Sequence, residues 1–317
     1  VGCVPSKTLI RAMQVVYDSR HASRFDGLSG VSAVSNWEAL VHQKQGLVDQ
    51  LRRAKYEELL AKYPNIFYIS GHAVFTGNFT EMEVDGTLYH PKKVILATGA
   101  SSTLPPIDGI QSVPVLDSTK ALELERLPES LIVIGGGIIG CELGQMFARA
   151  GVNVTLCCRS RLLPDVEPEV SVALSEYLRR EGVDVCQGVV YQKIERTGKC
   201  VALSCRTPDG DRVMEASEVL AATGRRPNTG GLHLERIGIG LDDSGGIIVD
   251  GNMRTSHADV YAAGDVTGKD MFVYMAAYGG KIAAKNAVGR NTREYHNGVV
   301  PCVVFTDPQL ATVGLTE

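Results

Sequence analysis

At 317 residues the chain is long enough for about two domains of ordinary size. It is 44% hydrophobic and 21% charged, as in globular proteins. A net charge of −4, a pI near 6.0 and no basic tract argue against nucleic acid or an anionic membrane surface as the main partner. No apolar run approaches the roughly 20 residues that span a bilayer, and eight scattered cysteines fit neither a secreted disulfide framework nor paired zinc spacing.

The first segment reads as a loop running into a helix over residues 1–20, with Leu9, Ile10, Met13, Val16 and Tyr17 at helical spacing. A second amphipathic helix is predicted over residues 37–62, with Leu40, Val41, Leu47, Val48, Leu51, Tyr56 and Leu59 on one face and Pro64 ending it. Short strands are predicted at Ile66 to Ser70, Ala73 to Phe75 and Lys93 to Ala97, closing in Ala97-Thr98-Gly99-Ala100. An alternating unit follows: strand Leu131 to Ile134, turn Gly135 to Gly140, helix Cys141 to Ala150, strand Val152 to Cys157, helix Val170 to Glu181, strand Val183 to Cys186. That βαβαβ order implies a parallel sheet. It ends at a second Ala-Thr-Gly, Ala222-Thr223-Gly224, so two related nucleotide-binding domains are expected. Thr255 to Asp265 then reads as a strand ending in a loop, Ala276 to Val288 as a helix, and Val303-Val304-Phe305 as a strand. Both ends cut through such signals, and the chain is expected to be an internal piece of a longer protein.

Gly135-Gly136-Gly137-Ile138-Ile139-Gly140 satisfies G-x-G-x-x-G between an apolar strand and a helix, the context that makes the motif a dinucleotide site. Gly135 and Gly137 let the backbone approach a pyrophosphate, and Gly140 lets the helix lie close to the sheet. An NAD site places an acidic residue about 20 residues after the first glycine. Here Leu156-Cys157-Cys158-Arg159-Ser160-Arg161 stands instead, and two guanidiniums suit a 2′-phosphate, so NADPH is expected over NADH. Cys157-Cys158 could be a metal-binding thiol pair, but its place at the end of a buried strand favours packing. Seven of the eight cysteines are expected to be structural.

The opening Val1-Gly2-Cys3-Val4-Pro5-Ser6-Lys7 resembles the second half of the redox-disulfide motif of the flavoprotein pyridine nucleotide-disulfide oxidoreductases, C-x-x-x-x-C-V-P-S-K. The resemblance implies that Cys3 is the cysteine that touches FAD and pairs with it as a thiolate, that its partner cysteine lies upstream of Val1, and that Lys7 stands near the flavin ring. Further motifs extend the likeness. Thr255-Ser256 with Val260-Tyr261-Ala262-Ala263-Gly264-Asp265 resembles the second flavin motif, making Asp265 a ribityl ligand. Gly71-His72-Ala73 resembles the segment whose backbone flanks the adenine, and Glu142 matches a glutamate that pairs with the active-site lysine. Thr98, Gly99 and Gly224 fall in the two Ala-Thr-Gly turns that accompany the nucleotides.

Within that family, Val48 to Glu57, Phe272 to Ala277 and Val303 to Gly314 look most like the mercury(II)-reducing branch. Cys3 would then also be a ligand for Hg(II), a soft cation matched to thiolate. Val115 departs from that branch, which often has tyrosine there, and Pro114-Val115-Leu116-Asp117-Ser118-Thr119 is closer to dihydrolipoyl dehydrogenase. Dihydrolipoyl dehydrogenase and a catalytically dead nucleotide-binding fragment therefore stand as alternatives. The expected fold is α/β with two doubly wound, Rossmann-like domains. Residues 1–125 and 246–298 would form the FAD domain, 126–245 the NADPH domain, and 299–317 the start of a dimerisation domain. A cytoplasmic homodimer is expected.

Overall fold

The computed structural model describes residues 2–78, 81–289 and 293–314. In chain order, helix α1 (Cys3–Arg20) is followed by α2 (Trp37–Arg52), a π-helical turn over Arg53–Glu57 and the short α3 (Glu58–Leu60). Short strands come next: β1 (Ala73–Phe75), β2 (Met82–Val84), β3 (Thr87–Tyr89), β4 (Val94–Leu96) and β5 (Ala100–Ser102). After α4 (Ser118–Glu123) the chain alternates through β6 (Ser130–Ile134), α5 (Ile138–Arg149), β7 (Asn153–Cys157), α6 (Pro168–Arg180) and β8 (Asp184–Cys186). Then come β9 (Val190–Thr197), β10 (Cys200–Thr207), β11 (Gly210–Ala216), β12 (Glu218–Ala221) and β13 (Arg225–Pro227). The last elements are β14 (Val260–Ala262), α7 (Val273–Val288), β15 (Cys302–Val304) and β16 (Leu310–Thr312). No helix among the described residues is long and apolar enough to cross a membrane.

These elements pack as two compact units, one of residues 1–64, 102–224 and 301–317, the other of residues 65–101 and 225–300. In the first unit β12, β6, β7 and β8 form a parallel sheet in that order, with α5 and α6 as its crossovers. Leu131, Ile132, Val133 and Ile134 are all buried, as both faces of a covered parallel strand require. Helix α1 joins the same core through Leu9, Met13 and Val16, and α2 adds Trp37 and Val41. The lone tryptophan, Trp37, donates its indole N–H to Leu124 O at 2.7 Å. An antiparallel meander of β9, β10 and β11, which the sequence reading missed, packs Ile194, Val201, Leu203 and Met214 against Ile132 and Ile134. In the second unit β1–β3 form an antiparallel sheet, β4 and β14 run parallel, and Phe75, Leu96, Ile247, Tyr261, Val266 and Ile282 share one core.

Several expectations are corrected. The helix over 37–62 is not continuous: α2 ends at Arg52, and its buried stripe is Trp37, Val41 and Lys44, the face turned to α1, while Leu47, Tyr56 and Leu59 are exposed. Ile66 to Ser70 forms no strand, because no neighbouring strand pairs with it, and Phe67 is 83% exposed. Of Thr255 to Asp265 only Val260–Ala262 is strand. Thr255 turns the chain there, its hydroxyl accepting from His257 N, and Arg254 pairs back antiparallel with Tyr261.

A buried polar knot closes the first unit. Arg149, on α5 and with a side chain only 4% exposed, donates from Nε to Glu181 Oε2 (2.6 Å) and from Nη2 to Glu181 Oε1 (2.6 Å) and Asp307 Oδ2 (2.8 Å). Its Nη1 reaches Gln14 Oε1, and its guanidinium lies over the Tyr17 ring at 3.9 Å. Burial disfavours the charged form of Asp307, but hydrogen bonds from Gln14 and Arg149 win and hold its carboxyl below the ordinary carboxylate range. A depressed folded-state value contributes stability that is full above the unfolded value near 4 and lost as pH falls through the folded value. Arg149→Ala strands Glu181 and should destabilise the first unit by about 3–5 kcal/mol. Asp307→Asn should lower the melting temperature at pH 7 but flatten its decline below about pH 4. Thermal melts of both variants across that range check the assignment, and an unchanged acid limb in Asp307→Asn would refute it.

Candidate dinucleotide and redox sites

The glycine turn between β6 and α5 is built by close approach. Gly135 has φ +121°, and a Cβ there would lie 2.3 Å from Ala222 O. A Cβ on Gly140 would meet Gly135 O at 1.9 Å, so only glycine lets α5 start this near the strand. Gly137 differs: it is the N-cap of α5, with no side-chain cap and nothing within 4 Å of its Cβ position. The helix thus presents an open N-terminus, free of acidic residues in its first turn, of the kind that cradles a phosphate. Ala222 N donates to Ile134 O, and Thr223 and Gly224 bond to Thr103, which seats the second Ala-Thr-Gly beside Gly135.

The arginine loop lies against the same turn. Leu163 N donates to Gly136 O at 2.7 Å, and the Leu162 side chain would collide with any Cβ on Gly136. Arg159 is exposed and makes no hydrogen bond or ion pair among the described residues. Arg161 is half-buried. Its Nη2 donates to Pro164 O at 2.7 Å, while Nη1 is buried without a partner. A buried orphan guanidinium nitrogen is costly unless an anion satisfies it, so glycine turn and arginine loop together fit a phosphorylated dinucleotide. Cys157 ends β7 and Cys158 follows it, and both are buried. Burial pushes the Cys157 thiol well above its ordinary value and that of Cys158 up to about 11, so both stay protonated at neutral pH.

Cys3 is exposed at the first position of α1, a helix with no acidic residue in its first turn. Lys7, one turn further on, donates to Glu142 Oε2 at 2.6 Å. Glu142 is buried on α5, and its other oxygen accepts from Phe305 N at 2.9 Å. The structure thus brings together two residues 135 apart in sequence that the sequence reading paired. It adds Phe305, which no local pattern marked.

In the second unit the parallel strands β4 and β14 end side by side, and Ala263 N donates to Leu96 O. Thr98 and Gly99 follow β4. Asn228 holds that turn: Thr98 Oγ1 donates to Asn228 O at 2.7 Å, and Asn228 Nδ2 donates to Thr98 O at 2.9 Å. Asp265 follows β14, its partly exposed carboxylate 3.8 Å from Arg225 Nε. Strand carboxyl ends are where α/β sheets bind ligands, and an Asp265 carboxylate with one distant partner keeps lone pairs for a ligand's hydroxyls. Such an acceptor at the end of a strand fits the hydroxyls of the sugar-alcohol part of a flavin nucleotide. Ala73 opens β1, where His72 N donates to Asp85 Oδ1.

Fold and glycine turn define a nucleotide-linked redox flavoprotein, and the chain belongs to the pyridine nucleotide-disulphide oxidoreductase family, whose model matches residues 1–280. Members of this family work with FAD and NAD(P)H. The chain is 43% identical to the mercuric reductase of Staphylococcus aureus and 41% identical to that of Bacillus cereus; all of this chain is matched, against 58% and 50% of theirs. It is 41% identical to the mercuric reductase of Streptomyces lividans over 68% of that protein. Among solved structures it superposes on the HOCl-induced flavoprotein disulfide reductase RclA of Escherichia coli with TM-score 0.86 at 31% identity, covering all of this chain and 68% of that one. The chain thus spans 58% and 50% of the length of the first two relatives.

The two helix-start glycines should separate folding from binding. Gly140→Ala must push α5 off Gly135 and should cost roughly 1–3 kcal/mol of stability. Gly137→Ala meets no atom, so the melting temperature should hold while NADPH affinity falls about tenfold, the worth of one lost phosphate hydrogen bond. Isothermal titration and melting of the full-length protein decide this. Undiminished NADPH affinity in Gly137→Ala would remove the N-terminus of α5 from the site.

Proposed function

We propose that this chain is the central part of an NADPH-dependent, FAD-containing oxidoreductase that reduces Hg(II) to Hg(0) through a redox-active cysteine pair. The observation that carries it is Cys3 at an open helix start, with Lys7 one turn on, locked to the buried Glu142. Bound FAD would supply the two-electron relay between NADPH and the cysteine site. NADPH and Hg(II) then give NADP+, a proton and Hg(0).

The chain's own residues supply the rest. The Gly137 end of α5 and the Arg159–Arg161 loop bind the nucleotide, with Arg161 satisfied by the 2′-phosphate. Gly224, Thr98, Gly99 and Ala73 offer backbone to the nucleotides, and Asp265 accepts from ribityl hydroxyls. The α1 N-terminus and the Lys7 ammonium set positive charge beside the Cys3 sulfur, which is also the soft ligand offered to Hg(II). In this reading residues 1–125 and 246–298 make the FAD domain, 126–245 the NADPH domain and 299–317 lead into the interface of a homodimer. A reducing cytoplasm would suit the buried thiols, Cys141, Cys157, Cys158, Cys186 and Cys205.

The dihydrolipoyl dehydrogenase alternative rests on Val115 to Thr119, and structural duties account for that stretch. Asp117 caps α4, accepting from Lys120 N at 2.8 Å, Leu116 pairs with Leu220 as a bridge beside β12, and Val115 packs on the meander core. None of these bears on the electron acceptor.

In the full-length protein, two-electron reduction should produce a long-wavelength thiolate–flavin charge-transfer band. Cys3→Ser should abolish that band and Hg(II)-dependent NADPH oxidation together, while Cys157→Ser and Cys158→Ser leave both nearly intact. Turnover of Hg(II) by Cys3→Ser at the parent rate, or a parent that reduces lipoamide and ignores Hg(II), would overturn the reading. Separately, Asp265→Ala should purify with substoichiometric FAD, read from the flavin-to-protein absorbance ratio; full FAD content would strike Asp265 from the ligands.

A further inference from the structure

Among the described residues the Lys7 ammonium meets Glu142 Oε2 at 2.6 Å and the Phe305 ring, whose centroid lies 4.7 Å from Nζ. Phe305 also donates its backbone N–H to the other oxygen of Glu142 at 2.9 Å. One residue therefore touches both members of the pair, its main chain on the carboxylate and its ring on the ammonium. A cation within about 6 Å of an aromatic face is drawn to its quadrupole. The effect matters here because Lys7 is 31% exposed on a flexible four-carbon stem, with rotamers that lead to solvent.

We propose that Phe305 is a positioning residue whose ring holds Lys7 in the rotamer that meets Glu142, and so fixes a positive charge one helical turn from Cys3. Lys7 follows Cys3 by four residues in α1, which puts both on one helix face. The backbone around Phe305 does not depend on its ring. Asp307 N accepts no such help from it: that N–H donates to Gln145 Oε1 at 2.8 Å, Asp307 O accepts from Gln145 Nε2, and Asp307 Oδ2 accepts from Arg149. Exchange of the ring should therefore leave the N–H on Glu142. The catalytic weight of this inference rests on the redox role proposed for Cys3; the contact itself does not.

The test compares Phe305→Leu and Phe305→Tyr in the full-length protein. With lysines carrying [13C]methyl groups, the Lys7 resonance, assigned through Lys7→Arg, should show a ring-current shift in the parent and in Phe305→Tyr and lose it in Phe305→Leu. On two-electron reduction the charge-transfer band of Phe305→Leu should fall about two- to fivefold, as for a cation–π contact at a partly exposed site. FAD content and melting temperature should stay at parent values, and Phe305→Tyr should restore the band. A parent without the ring-current shift overturns the contact. A Phe305→Leu band equal to the parent's, or a Phe305→Tyr band as weak as that of Phe305→Leu, overturns the positioning role. A parent that shows the ring-current shift but no charge-transfer band refutes the redox assignment of Cys3 and leaves Phe305 no catalytic part.

Discussion

Helix α5 carries Glu142, Gln145 and Arg149 on one stripe, and all three are buried. A buried charge must be paired and a buried amide must be bonded, or each costs kilocalories. The stripe meets that demand by gripping residues 305–307 from end to end: Glu142 takes Phe305 N, Gln145 takes both backbone groups of Asp307, and Arg149 takes its carboxylate. The same side chains reach elsewhere, Glu142 to Lys7 and Arg149 to Glu181 and Gln14. A single helix therefore fixes α1, the end of α6 and the 305–307 segment together.

That helix can do so only because of how it begins. Gly140 sits against Gly135 O and Gly135 against Ala222 O, distances no side chain would allow. Any retreat of α5 from β6 would shift Glu142 by a similar amount, and the Lys7 contact has no slack at 2.6 Å. The turn that suits a nucleotide phosphate and the carboxylate that holds Lys7 thus share one rigid element, with less than two turns of helix between Gly137 and Glu142.

The thiols divide by environment. Cys141, Cys157, Cys158, Cys186 and Cys205 are buried, and burial raises each above its ordinary value, so they act as small apolar residues. Cys302 is part-buried and raised as well, by burial first and then by Glu142. Cys3 alone is exposed, at a helix start. Cysteine thus fills the core as a small apolar residue while one thiol stays open to solvent.

Local pattern sufficed wherever the cause was local. The apolar run of β6, the glycines after it, the helical period of α1 and the Cys-Val-Pro-Ser-Lys start are all read within a few residues, because strand burial, turn geometry and helix faces depend on near neighbours. The extent of α2 and the fate of Ile66 to Ser70 were not legible there. An amphipathic face needs a partner surface and a strand needs an adjacent strand, and neither requirement is written in the segment itself. The knot of Arg149, Glu181, Asp307 and Gln14, and the place of Phe305 beneath Lys7, join residues 32 to 158 positions apart or more. Charges at such separation carry no mutual signal along the chain. Only the packing of α5 against its neighbours decides which of them meet, because burial is what makes one partner necessary and all others too far.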